Sequence, residues 1–418
     1  RHSEHTRVLR GIRCRSTLRG SPLSRAEPGL TWMLGALLFT WFGTMAVLVV
    51  NALRRPVPPG KRFPPLWLPA MAIAEWAPWI IVANAGLLAL LPVFAFDSSL
   101  ATISLVFAVG NFIGLAVLVF RSLSAARAAG HEAGVLDLWP IRISVPEGVS
   151  VHEDVVYADG LTTKVYRRSD IERAPTLVYL HPGSWMRGRP GRQARPLLYG
   201  LAEKGWVILD ISYPLSPAAT FPDHLIGVKR AIAWAKTEGS SIGIDEERVM
   251  IAGGSSGAHL AALAALTSED TTLQPGFEEA DTSVAACAPH YGIFDLLVRN
   301  PTRYDWPFIA RYVMKATPAK APELFRLGSP IDLVHSDAPP FLVVHGEHDS
   351  VVLPAESRHF VEALREAGAE AIYHEVPGGQ HGFDAFGALR SRAVGALVAD
   401  FLAEHAADVN RPGRRRDR

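Results

Sequence analysis

The chain has 418 residues, room for two or three domains, and a formal net charge of +1, so no basic footprint for nucleic acid shows. Its two cysteines, Cys14 and Cys287, fall in a charged tail and a predicted strand, and give no evidence for a disulfide or an oxidising compartment. Mean hydropathy is +0.14, high for a soluble enzyme, and the excess lies in the N-terminal third.

Residues 1–29 carry seven arginines and no apolar core. They read either as a disordered basic tail or as an untranslated stretch ahead of a start at Met33. Three uncharged spans follow within residues 30–121, at about 31–53, 76–96 and 98–120. Each is about 20 residues or slightly more, enough to cross a bilayer core of ~30 Å as a helix. Trp32, Trp67, Trp76 and Trp79 cluster near their ends, as interfacial anchors do. Glu75 and Pro78 separate the second span from Leu66–Ala74, which is expected at the interface. Three such spans separated by short loops argue against core helices of a soluble domain, and the first is too long for a cleaved signal peptide. The lipid bilayer is thus an expected partner of a multi-pass protein. Arg54, Arg55, Lys61 and Arg62 in the first loop and Arg121 and Arg127 after the third span favour a cytoplasmic side for the C-terminal domain. The arginines before the first span pull the other way unless translation starts at Met33.

An alanine-rich connecting helix is expected over residues 122–135, followed by one α/β domain over 136–409. Strands are predicted at Ile141–Val145, Val151–Tyr157, Thr162–Tyr166, Thr176–Leu180, Gly205–Tyr213, around Val249, and at Thr282–Ala288, Phe341–His345 and Ala371–Val376. Helices are predicted at Phe221–Lys236, after Ser255, and at Pro354–Ala367 and Leu389–Ala407. This alternation implies a mostly parallel sheet with helices on both faces and reactive residues at the carboxyl ends of strands. Residues 295–328, with Tyr304, Trp306, Phe308 and Tyr312, read as a cap over a pocket or as a surface helix pair. The tail 410–418 has five arginines and could touch anionic lipid.

Arg248–Leu260 reads as strand, tight turn and helix. Within it Gly253-Gly254-Ser255-Ser256-Gly257 is a G-x-S-x-G pattern, weak alone but stronger between a strand and a helix. A Cβ at Gly253 or Gly257 is expected to clash, and the helix N-terminus beneath Ser255 favours developing negative charge. A hydrolytic serine needs a base, an acid that orients the base, and N–H donors for an oxyanion. Ser255, Asp349 and His381 occur in the chain order that this topology demands. Glu347 is a rival acid. His259, His290, His345, His348 and His374 read as packing or hydrogen-bonding residues, and His181 as a brace for its loop. No H-E-x-x-H, G-x-G-x-x-G or phosphate-loop pattern is present, so no metal or organic cofactor is implied.

From about Val145 onward the chain resembles α/β-hydrolase esterases of the hormone-sensitive-lipase-like and bacterial carboxylesterase group. His181-Pro182-Gly183-Ser184-Trp185 is similar to their oxyanion loop, and Asp210 to Pro217 with Phe221-Pro222 and Trp234 to their tyrosine–proline stretch. Ser329-Pro330-Ile331, Pro339-Pro340-Phe341 and HGEHDSVV are similar to the segment delivering the acid, and PGGQHGF to the histidine loop. The N-terminal part is similar to that of some actinobacterial membrane-anchored esterases. The resemblance implies a membrane-anchored serine carboxylesterase or lipase acting on an ester or lipid-like substrate, with an oxyanion hole from the N–H groups of Gly183, Ser184 and Ser256. Pro182 and Ser184 depart from the loop's glycines, and Ser216-Pro217-Ala218 lacks the group's glutamate. The same fold and residue order also admit a serine peptidase of prolyl-oligopeptidase type, or a binding protein that keeps the hydrolase shell.

Overall fold

Continuous apolar runs in the second part of the chain form the interior of a sheet. The structure is a computed structural model that describes residues 28–55, 66–94, 99–300, 302 and 307–408. The strands are β1 (Val149–Ala158), β2 (Leu161–Arg168), β3 (Ala174–Leu180), β4 (Val207–Ile211), β5 (Ile244–Gly254), β6 (Cys287–His290), β7 (Phe341–Gly346) and β8 (Ala371–Val376). They form one eight-stranded sheet in the order β1-β2-β4-β3-β5-β6-β7-β8. The β1–β2 and β2–β4 pairs are antiparallel, and every later pair is parallel. Every residue of β4, β6 and β7 is buried, as two-sided covering requires.

The alternation of side chains along each strand divides the core in two. Val178, Leu180, Leu209 and Ile251 face one cluster, with helices α6 (Asp223–Thr237), α7 (Ser256–Leu266) and α9 (Pro354–Glu366). Leu177, Tyr179, Ile208 and Met250 face the other, with α5 (Arg195–Glu203) and α10 (Leu389–Asp408). Parallel registers pair Leu180 with Gly253, Gly254 with His290, His290 with Val344, and Gly346 with Val376. The carboxyl ends of β3, β5, β7 and β8 therefore open on one edge.

Several expectations need correction. Ile141–Val145 is extended but unpaired with the sheet; the Ile141 N–H donates to Gly387 O at 3.0 Å, so the segment runs past that loop. β6 starts five residues later than expected, because the Asp281 carboxylate accepts from the Ser283 N–H at 2.8 Å and turns the chain there. α5 had not been expected. Within the expected cap, Ile309–Val313 is one π-helical turn and α8 (Pro322–Leu327) is short; Ile309, Val313 and Phe325 pack into the main core. Tyr304 and Trp306 lie outside the described residues, as do residues 1–27 with Cys14, the tail 410–418, Lys61 and Arg62, while residues 28 and 29 of the expected N-terminal tail begin α1.

The N-terminal helices are α1 (Pro28–Leu53), α2 (Trp67–Glu75), α3 (Ala77–Phe94) and α4 (Ser99–Ala128). Two segments are long and apolar enough to cross a membrane: Trp32–Leu53 and Thr102–Ala128. The expected second span corresponds to α3, shorter at 18 residues, and it is set off from α2 at the break that Glu75 and Pro78 mark. α2 and α3 meet at an 80° bend, so three spans are reached only if that pair counts as one. Pro78 at the start of α3 has no N–H to continue the preceding helix. The expected connecting helix is not separate either: α4 runs through residue 122 to Ala128 without a break, and Gly130 at φ 73° follows. α1 and α4 are parallel, for Phe39 meets Phe107 and Asn111 donates to Phe42 O, while Arg121 reaches Leu53 O. α3 is antiparallel to α1: Leu38 and Phe42 pack on Leu87 and Leu88, and Val49 and Ala52 on Ala77 and Ile80.

Candidate active site

Ser255 stands between β5 and α7 with φ 55° and ψ −116°, a strained conformation for a residue with a Cβ. The turn is compressed on both sides. A Cβ at Gly257 would lie 2.2 Å from Leu180 O, and one at Gly253 2.6 Å from the Gly257 carbonyl, so this crossing of backbones excludes any side chain. The turn aims Ser255 Oγ at His381 Nε2, 3.0 Å away.

His381 comes from the loop after β8, and Asp349 from the loop after β7. His381 Nδ1 lies 2.7 Å from Asp349 Oδ2. The other carboxylate oxygen accepts from the Val351 and Val352 N–H groups, both at 2.8 Å. Asp349 is fully buried; burial pushes its carboxyl up, but the neighbouring His381 and His345 outweigh this and hold it down at about 2. An ionised carboxylate only accepts, so Nδ1 of His381 carries the proton and Nε2 is left to accept from the serine hydroxyl. Glu347, the rival acid, instead accepts from the Gly378 N–H at 3.0 Å and does not reach His381.

His345, read from the sequence as a packing or hydrogen-bonding residue, is the second of these neighbours. Its Nε2 lies 3.2 Å from Asp349 Oδ2 and 2.9 Å from Val352 O, and its Nδ1 lies 2.6 Å from Ser357 Oγ. Its position four residues before Asp349 was the available signal. Tyr291, buried after β6, sets its ring 4.9 Å from that of His381 and donates its hydroxyl to Asp384. Trp67 of α2 stands on His381 too, edge-on at 5.8 Å. No local pattern in the sequence announced either contact.

The loop after β3 folds beside Ser255. Gly183 has φ 151°, and a Cβ there would lie 1.6 Å from Arg187 O. Ser184 and Trp185 both have φ 58°. Trp185 Nε1 donates to His259 Nδ1 at 3.2 Å, and His259 Nε2 lies 2.7 Å from Gly328 O, so α7 holds this loop by a side chain. His181 is buried, stacks on Tyr213 at 4.4 Å and has its pKa lowered by burial, which suits a neutral brace. The Tyr213 hydroxyl donates to His181 O at 2.8 Å and lies 3.3 Å from Ser256 Oγ. Among the described residues the N–H groups of Gly183, Ser184 and Ser256 have no backbone acceptor. Pro182 supplies no N–H, but its carbonyl lies 3.1 Å from His181 Nδ1.

This sheet order, with a strained serine after β5 and an acid and a histidine after β7 and β8, defines an α/β-hydrolase. A family profile described as BD-FAE matches residues 165–364. Esterase LipQ of Mycobacterium tuberculosis is 42% identical over 68% of this chain and 70% of its own length. The probable carboxylic ester hydrolase LipM of the same organism is 41% identical over 57% of each. Among solved structures, a truncated carbohydrate esterase from gut microbiota superposes with a TM-score of 0.55 at 22% identity, covering 64% of this chain and 99% of that one, which speaks for the fold. The chain belongs to the hormone-sensitive-lipase-like α/β-hydrolase family, a family of carboxylic ester hydrolases.

Proposed function

We propose that the protein is a membrane-anchored serine carboxylesterase or lipase that works through an acyl-enzyme on Ser255. The observation that carries the reading is the continuous line from Ser255 Oγ to His381 Nε2 at 3.0 Å and from His381 Nδ1 to Asp349 at 2.7 Å. Ser255 attacks the ester carbonyl while His381 takes its proton. Asp349, ionised, holds the imidazole in the working tautomer and stabilises it once charged. The N–H groups of Gly183, Ser184 and Ser256 donate to the oxyanion, helped by the N-terminus of α7. His381 then protonates the leaving alcohol and activates the water that frees the acid. Gly253 and Gly257 keep the turn narrow, and His181 braces the oxyanion loop.

Membrane anchoring rests on the two long apolar helices. Their parallel packing supports a third crossing, since the chain between them must return. α3, 18 residues and roughly 27 Å long, runs the required way. Arg54, Arg55, Arg121 and Arg127 all fall at the helix ends beside the hydrolase domain, which favours a cytoplasmic catalytic side.

The test is hydrolysis of p-nitrophenyl esters, from acetate to palmitate, by the detergent-purified full chain and by Ser255→Ala. The expected loss is about 10³-fold or more in kcat/KM. Activity that survives the substitution, or a wild type that cleaves none of the series, would overturn the reading.

A further inference from the structure

Trp67, Met71 and Glu75 are spaced by four residues and share one face of α2. That face lies along the loop carrying His381. The Trp67 ring stands on the His381 ring at an interplanar angle of 83°. Met71 Sδ lies 3.6 Å from where a Cβ on Gly382 would be. The Glu75 carboxylate pairs with Arg390, both side chains fully buried, and Arg390 Nε donates to Pro377 O at the start of the loop. A helix of the N-terminal region is thereby pinned along the whole histidine loop. Tyr291, on another side of His381, is fully buried and tied to Asp384. Trp67 is only half-buried, packs against the main core and has its ring 5.8 Å from that of His381.

We infer that Trp67 is a specificity-determining residue for the alcohol half of the ester. The inference rests on the reading of Ser255 and His381 as nucleophile and base. In acylation His381 Nε2 hands its proton to the departing alkoxide, so the alcohol must lie within hydrogen-bond reach of that nitrogen. The acyl group stays on Ser255, with its oxygen turned toward the loop of Gly183 and Ser184. Trp67 borders the His381 side, where the alcohol leaves, and its ring offers apolar and edge-to-face contact to large or aromatic alcohols. Methanol is too small to use it. The alcohol subsite is thus built by the N-terminal helices and not by the hydrolase domain alone.

Deacylation provides the control. It needs His381 as acylation does, but the alcohol has already left. The experiment compares the full chain with Trp67→Ala and Trp67→Phe on butyrate esters of methanol, 1-hexanol, phenol and 1-naphthol. Decay of the butyryl-enzyme is followed separately by mass spectrometry after a pulse of p-nitrophenyl butyrate. Labelling of Ser255 by a fluorophosphonate verifies that each variant is folded. Trp67→Ala is expected to lose about tenfold or more in kcat/KM on the hexyl and aryl esters relative to the methyl ester, with deacylation changed by less than about twofold and Trp67→Phe recovering most of the preference. An equal loss for all four alcohols with a matching slowdown of deacylation would mean that Trp67 only braces His381, and an unchanged preference would mean that it touches no alcohol. Either result overturns this inference alone. A wild type that cleaves none of the esters overturns the Ser255 reading and this inference with it.

Discussion

Asp349 is the residue on which the electrostatics of the site turn. Burial alone would drive a proton onto it; two backbone N–H donors and the rings of His381 and His345 keep it charged. Asp349→Asn is expected to lower kcat/KM by about 10²–10⁴-fold, because an amide facing Nδ1 favours the tautomer that leaves Nε2 protonated and unable to accept from Ser255. Steady-state hydrolysis of p-nitrophenyl butyrate checks this. The same substitution has a stability signature. The carboxyl is depressed from 3.8 to about 2, so its contribution is fully present above about pH 4 and disappears as the pH falls toward 2. The size of that contribution is about 2 kcal/mol. Acid titration of denaturant unfolding should therefore show a shallower loss between pH 4 and pH 2 in Asp349→Asn than in the wild type. An identical slope would mean that the folded carboxyl is not held down.

At the scale of elements, the strand–turn–helix around Ser255 tolerates no extra atom. Gly257→Ala would bring its Cβ to 2.2 Å from a backbone oxygen of β3, and backbone cannot swing aside as a side-chain tip can. The substitution should destabilise by about 1–3 kcal/mol or more and abolish ester hydrolysis, read as a lower thermal midpoint together with loss of fluorophosphonate labelling. A variant that keeps wild-type melting and labelling would show that β3 and β5 can part here to admit a methyl group. This turn was legible in the sequence because its determinants are local: an apolar run, five residues rich in glycine and serine, then a run of alanine and leucine. The strands that lead into Asp349 and His381 were legible for the same reason. Ile141–Val145 has the composition of a strand yet lies where no partner offers a ladder, and composition cannot reveal that. The bend between α2 and α3 was half legible, since Glu75 and Pro78 mark it. What those residues did not disclose is that the arm before the bend lies on the histidine loop. Trp67 and His381 are 314 positions apart in the chain, and the contact exists only once both halves are folded.

At the scale of the whole molecule, one buried ion pair joins the two halves. Glu75 ends α2, Arg390 begins α10, and neither side chain is exposed. Glu75 Oε2 and Arg390 Nη2 are buried with no hydrogen-bond partner among the described residues, so the pair is incompletely satisfied. Desolvating both ions is costly, and their mutual attraction offsets that cost only while both are present. Glu75→Leu strands a guanidinium and Arg390→Met strands a carboxylate. Each alone should destabilise the detergent-purified full chain by about 3–5 kcal/mol. The double variant Glu75→Leu with Arg390→Met leaves no orphaned charge and should recover most of that loss, within about 1 kcal/mol of the wild type or better. Thermal unfolding of the three variants beside the wild type measures the coupling. Additive losses in the double variant would mean that the two side chains are not coupled, whereas a double variant well below the wild type yet above that sum would mean that the pair is a net bond holding the helices to the hydrolase domain. Recovery would mean instead that the charges fix the register of α2 on the histidine loop. Trp67 then provides the second readout, since a stable double variant with α2 shifted along the loop would lose discrimination among alcohols while keeping its melting temperature.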